Sequence, residues 1–220
     1  MRVLAFTTSA AALAAAVAHG AIVNSMADVQ FWVGSGPNSA VMIVDWQDGK
    51  NLPGDSTGQA LAWGYHWGSA ETRTGLDMLG AIAAADPRFD VRIDNRGFGP
   101  IAFGMYDDLN GNGGTYFFDT VNEEGSASDP ADHFREGWLF NGFWGYLVGA
   151  SPGATKPAWN SSGSGAGTHL LTNGEWNAWS FSTDFVNFTI PTPASAAAVV
   201  PEPASALLVL LGACILWRRR

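Results

Sequence analysis

The sequence predicts an α+β fold that is mostly β, a small antiparallel or mixed sheet carrying one capped helix at about 74–86. Three observations lead there. Short apolar, β-branched and aromatic runs recur along the middle of the chain, each bounded by Gly, Pro, Asn or Asp. Only one stretch there shows apolar residues at helical spacing behind an N-cap. Nine of the ten tryptophans lie between two apolar ends, which places a single globular β-rich domain at 21–190.

Taken in order, residues 29–33 and 41–46 read as strands, with Val41-Met42-Ile43-Val44 apolar enough to be central. In 61–67 the large Leu61, Trp63, Tyr65 and Trp67 alternate with Ala62, Gly64 and His66, which predicts a half-buried strand. Thr74-Gly75-Leu76-Asp77 has the form of an N-cap with an acidic residue at N3. Leu76, Leu79, Ile82 and Ala83 follow at helical spacing, and Pro87 ends the run. Further strands are expected at 89–93, 101–106, 115–121, 138–148 and 176–181. The Pro/Ala-rich segment 191–199 has neither period nor charge and is expected to be an extended linker.

The net charge is −9, and Arg2, Arg218, Arg219 and Arg220 sit in the two ends, so the middle is more acidic still. That balance argues against nucleic acid as a partner. Cys214 is the sole cysteine and lies in the C-terminal apolar run, so the domain forms no disulfide and must hold by packing. A domain of this length buries roughly 70% of its unfolded surface, which is enough.

At the N-terminus Arg2 precedes a short apolar stretch, 3–17, and small residues follow at Ala16-Val17-Ala18 and Ala18-His19-Gly20. Residues 1–20 therefore read as a secretory signal peptide. At the other end Pro201-Glu202-Pro203 is followed by the uncharged run 204–217 and by Arg218-Arg219-Arg220. As a helix that run reaches about 21 Å against a hydrocarbon core of roughly 30 Å, short for a permanent anchor. The arginines would hold it at the cytoplasmic face. Pro-Glu-Pro, a short apolar transmembrane helix and a terminal Arg cluster resemble the PEP-CTERM sorting signal of Gram-negative bacteria, here 200–220. The resemblance implies an exosortase as processing partner, transient anchoring in the inner membrane, and release to the cell surface or extracellular matrix.

The order of motifs in the middle, including Gly75-Leu76-Asp77-Met78-Leu79, Phe143-Trp144-Gly145-Tyr146, Leu171-Thr172-Asn173-Gly174-Glu175 and Trp179-Ser180-Phe181, is similar to transcobalamin C-terminal-like domains. That likeness implies a helix on a small sheet and a bound ligand. The segment 122–136 departs from the pattern.

The sequence identifies no catalytic residue. Gly54-Asp55-Ser56-Thr57-Gly58 has the spacing of a hydrolase nucleophile elbow but lacks the strand before and the helix after it, and reads as a polar loop. His66, His133 and His169 match no metal pattern and read as surface or satisfied polar residues. Asp129-Pro130-Ala131-Asp132-His133 gathers acid and imidazole, but an acidic surface loop following Glu123-Glu124 explains it more simply. Gly163-Ser164-Gly165-Ala166-Gly167 lacks the context of a phosphate cradle and reads as a flexible loop.

Two constellations remain. Asp108, Asn110, Asn112 and Asp119 fall at positions 1, 3, 5 and 12 of a calcium loop, with Gly113 at position 6, which makes them candidate ligands of a Ca2+ ion. Flanking helices and the usual Glu at position 12 are missing. Trp63, Tyr65, Trp67, Trp144 and Tyr146 are candidates for an aromatic platform that binds a glycan or small planar ligand, the alternative being that they form the core. Composition and motifs together predict an exported, non-catalytic envelope or matrix protein that binds a small ligand or glycan. The competing classes are a structural or adhesive matrix protein and a secreted hydrolase using the loop 129–133.

Overall fold

The structure, a computed structural model, describes residues 21–50, 60–97, 99–149, 153 and 155–198. The signal segment 1–20, the elbow-like motif 54–58 and the sorting segment 200–220 lie outside them. Among the described residues no helix is long and apolar enough to cross a membrane.

In chain order the elements are β1 (Trp32–Gly34), β2 (Asn38–Asp45), β3 (Ala60–Trp67), α1 (Gly75–Ala85), β4 (Phe89–Arg96), β5 (Gly99–Asp107), β6 (Tyr116–Phe117), β7 (Ser126–Ala127), β8 (His133–Glu136), β9 (Phe143–Gly149), β10 (Trp159–Ser161), β11 (Glu175–Ser182) and β12 (Ala194–Ala196). The mostly-β expectation holds. The main sheet is mixed and runs β1-β3-β2-β11-β9-β10, with β12 also on β3; β4-β5-β8 form a second sheet and β6-β7 a small ribbon. β2 is central, as its continuous apolar run requires: it pairs antiparallel with β3 and parallel with β11.

The helix follows its sequence signals. Thr74 Oγ1 accepts from the Asp77 N–H at 3.2 Å, and Asp77 Oδ2 accepts from the Thr74 N–H at 2.8 Å, so two otherwise orphaned donors are satisfied reciprocally. Met78, Leu79 and Ile82 form its buried face, with Leu76 and Ala83 partly buried beside them.

Period-2 alternation divides the main sheet into two apolar faces. Met42, Val44, Leu61, Trp63, Tyr65, Trp67, Trp144, Tyr146, Trp179 and Phe181 belong to one core, which α1 and the β4-β5-β8 sheet cover through Met78, Leu79, Ile82, Phe89, Ala102 and Met105. Val41, Ile43, Ala62, Leu147, Trp176 and Ala178 belong to the other, covered by Val23, Val29, Ala194 and Ala196.

That second core corrects two expectations. The segment 191–199 is not simply a tether: Ala194–Ala196 pairs parallel with β3 and is buried, and the Val23 N–H donates to the Ala194 carbonyl at 2.8 Å. Small side chains without period, which resemble a linker in composition, are here what fits between β3 and the N-terminal segment. For the same reason β3 is buried on both faces rather than half-buried. Gly64 belongs to this arrangement, since a Cβ there would lie 2.1 Å from the Trp32 ring that packs across it.

Strand boundaries differ most in three places, and β7, β8 and β10 are not among the strands expected. The first strand begins at Trp32, because Val29 turns into the second core. Of 115–121 only Tyr116–Phe117 pairs. The strand expected from 138 begins at Phe143, because 138–141 wrap around a carboxylate. The backbone N–H groups of Trp138, Leu139, Phe140 and Asn141 all donate to the Glu123 side chain at 2.6–2.8 Å. Burial alone would raise the Glu123 carboxyl, and the four donors outweigh it, holding the group below the usual range.

Candidate functional site

A cavity of about 510 Å³ opens at the edge of β9. Its position follows from strand lengths. β10 pairs only with residues 147–149 of β9, so the outer edge of 143–146 has no partner strand, and the loop 162–168 descends there to form the opposite wall. Residues 99–102 of β5 close a third side. Aromatic rings make the apolar surface: Trp144, Tyr146 and Trp179 from the sheet, with Trp138, Phe143 and Phe188 at the rim. Trp179 packs on Tyr146 with ring centroids 4.9 Å apart, and Phe143 meets Phe188 edge to face at 5.3 Å. Gly145 lets Phe188 lie on the strand, since a Cβ there would come within 2.5 Å of that ring.

The polar groups of the cavity are neutral. The Tyr146 hydroxyl donates to Asn177 Oδ1, and burial, then the nearby Glu175 carboxylate, push it well above the ordinary phenol range. The indole N–H groups of Trp144 and Trp179 are buried without a hydrogen-bond partner. The remaining wall is the Gly- and Ser-rich loop 162–168, of which 163–167 is expected from sequence to be merely flexible. It is held by the Ser162 N–H on the Tyr146 carbonyl at 3.1 Å and the Leu76 N–H on the Ala166 carbonyl at 3.1 Å.

The five aromatics singled out in the sequence therefore separate. All five are core members with at most 6% exposure. Trp144 and Tyr146 also line the cavity, whereas Trp63, Tyr65 and Trp67 do not. Trp63 packs on Phe89 at 4.9 Å and Tyr65 stacks on Trp67 at 5.8 Å. Sequence reasoning missed Trp138, Trp179, Phe188 and the loop 162–168 as lining. A usable signal was the Gly/Ser run between two Trp-bearing strands.

Asp108, Asn110 and Asn112 are tied together in one loop, and no hydrogen bond among the described residues joins Asp119 to them. Asp108 accepts from the Asn112 and Gly113 N–H groups at 3.1 and 2.8 Å, and the Asn110 side-chain amide donates to Asp129 at 3.0 Å. Asp119 instead accepts from Val121 and Asn122 within its own turn. Among the described residues no group of three His, Cys, Asp or Glu side chains is arranged to hold a metal ion.

A second polar region lies buried where β4, β5 and β8 meet the main sheet, and part of the loop expected at the surface belongs to it. Asp132 and His133 are buried, against the expectation of a solvated loop. His133 stacks on Trp46 with centroids 4.5 Å apart, and its Nδ1 lies 3.0 Å from Asp48 Oδ1. Burial would raise the Asp48 carboxyl, but the His133 contact outweighs it and keeps the group low. His66 stacks on Trp32, while His169 meets Glu175 beside Tyr146. Asp86 and Arg88 form a buried ion pair, Arg88 Nε and Nη2 donating to the two carboxylate oxygens at 3.2 and 3.0 Å. The Trp63 indole N–H donates to Asp86 Oδ2 at 3.0 Å.

Asp107 is fully buried and neither of its oxygens has a hydrogen-bond partner. Burial pushes its carboxyl well above the usual range, and the attraction of Arg88 does not reverse this. A carboxyl raised on folding destabilises the fold as pH rises from the unfolded value, about 4, towards the folded one. Asp107→Asn is accordingly expected to raise the melting temperature at pH 8 by a few degrees and to change it little at pH 4. Equal shifts at both pH values would remove ionisation as the cause.

No protein-family model, curated protein or solved structure matches this chain.

Proposed function

We propose that the chain is an exported envelope or matrix protein whose domain is non-catalytic and binds a small ligand or glycan in the cavity at the β9 edge. One observation carries the binding reading: a concave site of about 510 Å³ walled by aromatic rings on one side and by a Gly/Ser loop on the other. Ligand sites combine those features, an apolar surface with a few polar groups that fix orientation. The hydrolase reading has less support, because His133 is 1% exposed and packed flat on Trp46, out of reach of a substrate.

Trp144 and Trp179 report on the site directly. Titration with soluble oligosaccharides and with a planar heteroaromatic should change tryptophan emission saturably for at least one of them; a flat response to all would end the binding reading. Export rests on the two chain ends, which support cleavage of the signal segment and exosortase processing near Pro201-Glu202-Pro203. Intact-mass spectrometry of the surface fraction should find the mature protein without 1–20 and without the Arg218-Arg219-Arg220 tail. Retention of that tail would sink the sorting proposal.

A further inference from the structure

We propose that the cavity takes an uncharged saccharide, one sugar ring lying against the Trp144–Trp179 wall with its hydroxyls held by the loop 162–168. This rests on the reading of the cavity as the binding site and narrows the class of ligand.

Charge is the first argument. Among the described residues no Asp, Glu, Lys, Arg or His side chain lines the cavity, and the ionisable group found there, the Tyr146 hydroxyl, is engaged by Asn177. A charged ligand would lose hydration with nothing to pair it. The chain as a whole carries −9, which further disfavours phosphates and uronic acids.

The second argument is the kind of polar group available. In the loop, the backbone N–H groups of Gly163, Gly165, Ala166 and Gly167 donate to no group among the described residues. The indole N–H groups of Trp144 and Trp179 are likewise without acceptors. Gly163 and Gly165 are exposed to solvent, so the donors that would ordinarily find a partner within the protein are the Ala166 and Gly167 N–H groups and the two indoles. A purely hydrocarbon ligand would leave them without one, whereas sugar hydroxyl and ring oxygens accept hydrogen bonds around the whole ring.

Shape is the third. Aromatic rings present a negative face to the weakly positive C–H face of a pyranose, and Trp144, together with Trp179 packed on Tyr146, supplies aromatic surface at little conformational cost. About 510 Å³ lies in the lower half of the range of roughly 300–1,000 Å³ usual for small-molecule sites, which suits a short saccharide or a chain end.

The test is calorimetry on the secreted protein with neutral tetrasaccharides (gluco-, xylo- and manno-configured), tetragalacturonate, a chitosan tetramer and riboflavin. At least one neutral tetrasaccharide should bind, with the anionic and cationic oligomers at least tenfold weaker. Trp179→Phe, which keeps a six-membered aromatic ring and removes the pyrrole ring with its N–H donor, should weaken that binding about tenfold. Gly163→Phe should abolish it without altering the melt, since a Cβ at this exposed glycine meets nothing within 4 Å. Riboflavin binding in the absence of any neutral saccharide would keep the cavity as a site and overturn the saccharide. Tighter binding of a charged oligomer would overturn it equally. No binding by any probe, or binding indifferent to Gly163→Phe, would overturn the cavity reading as well.

Discussion

Replacing Arg88 by Met is expected to cost about 3–5 kcal/mol of stability, the range for removing one partner of a buried ion pair. The pair is enclosed, with Arg88 6% and Asp86 0% exposed, and the guanidinium also donates to the Ala198 carbonyl at 2.6 Å. Methionine fills much the same volume but leaves the Asp86 carboxyl without its cationic partner in an apolar setting beside the unpartnered Asp107. The double variant D86N/R88M should recover much of the loss, because it removes both charges while keeping a polar partner for the Trp63 N–H. Urea unfolding of the single and double variants measures this. Additive losses would show that the two side chains act independently and that the pairing contributes little. A loss of this size is a large share of the 5–15 kcal/mol typical of a whole domain.

Trp63→Ala should be comparably damaging, about 3–5 kcal/mol, as expected for deleting a large buried ring. Trp63 is 0% exposed, packs on Phe89, and gives its N–H to Asp86, so truncation opens a cavity under α1 and removes one acceptor bond from the buried pair. Trp63→Phe keeps most of the apolar contact and should cost less, on the order of 1–2 kcal/mol, the lost hydrogen bond being to a charged group. Neither change should affect ligand binding at the β9 cavity beyond what stability dictates, since Trp63 does not line it. Loss of binding with an unchanged unfolding midpoint would return this ring to the site and contradict its place in the core.

The platform inferred from the sequence was half visible for a physical reason. Alternation in β3 and β9 correctly puts Trp63, Tyr65, Trp67, Trp144 and Tyr146 on one face of one sheet, because side chains two apart must share a side. Periodicity states which residues share a face and is silent about what covers it. Over Trp63 and Trp67 the cover is core; over the outer edge of β9 it is a Gly/Ser loop that leaves room. The calcium-like spacing met a similar limit. Asp108, Asn110 and Asn112 share one loop, but Asp119, in line by count alone, is drawn into its own turn with Asn122.

The sequence by itself determined the mostly-β class, the capped helix from Thr74 to its stop before Pro87, the central apolar β2, and which rings face together. Those depend on propensity, capping and period, all local along the chain. Tertiary structure alone decided that β12 is a strand, that Asp86, Asp107, Asp132 and His133 are buried, and that a cavity stands between β9, β5 and the loop 162–168. Each depends on segments far apart in sequence arriving at one place. A charged residue reads as solvated, and an alanine run as linker, until the surface that encloses it is known.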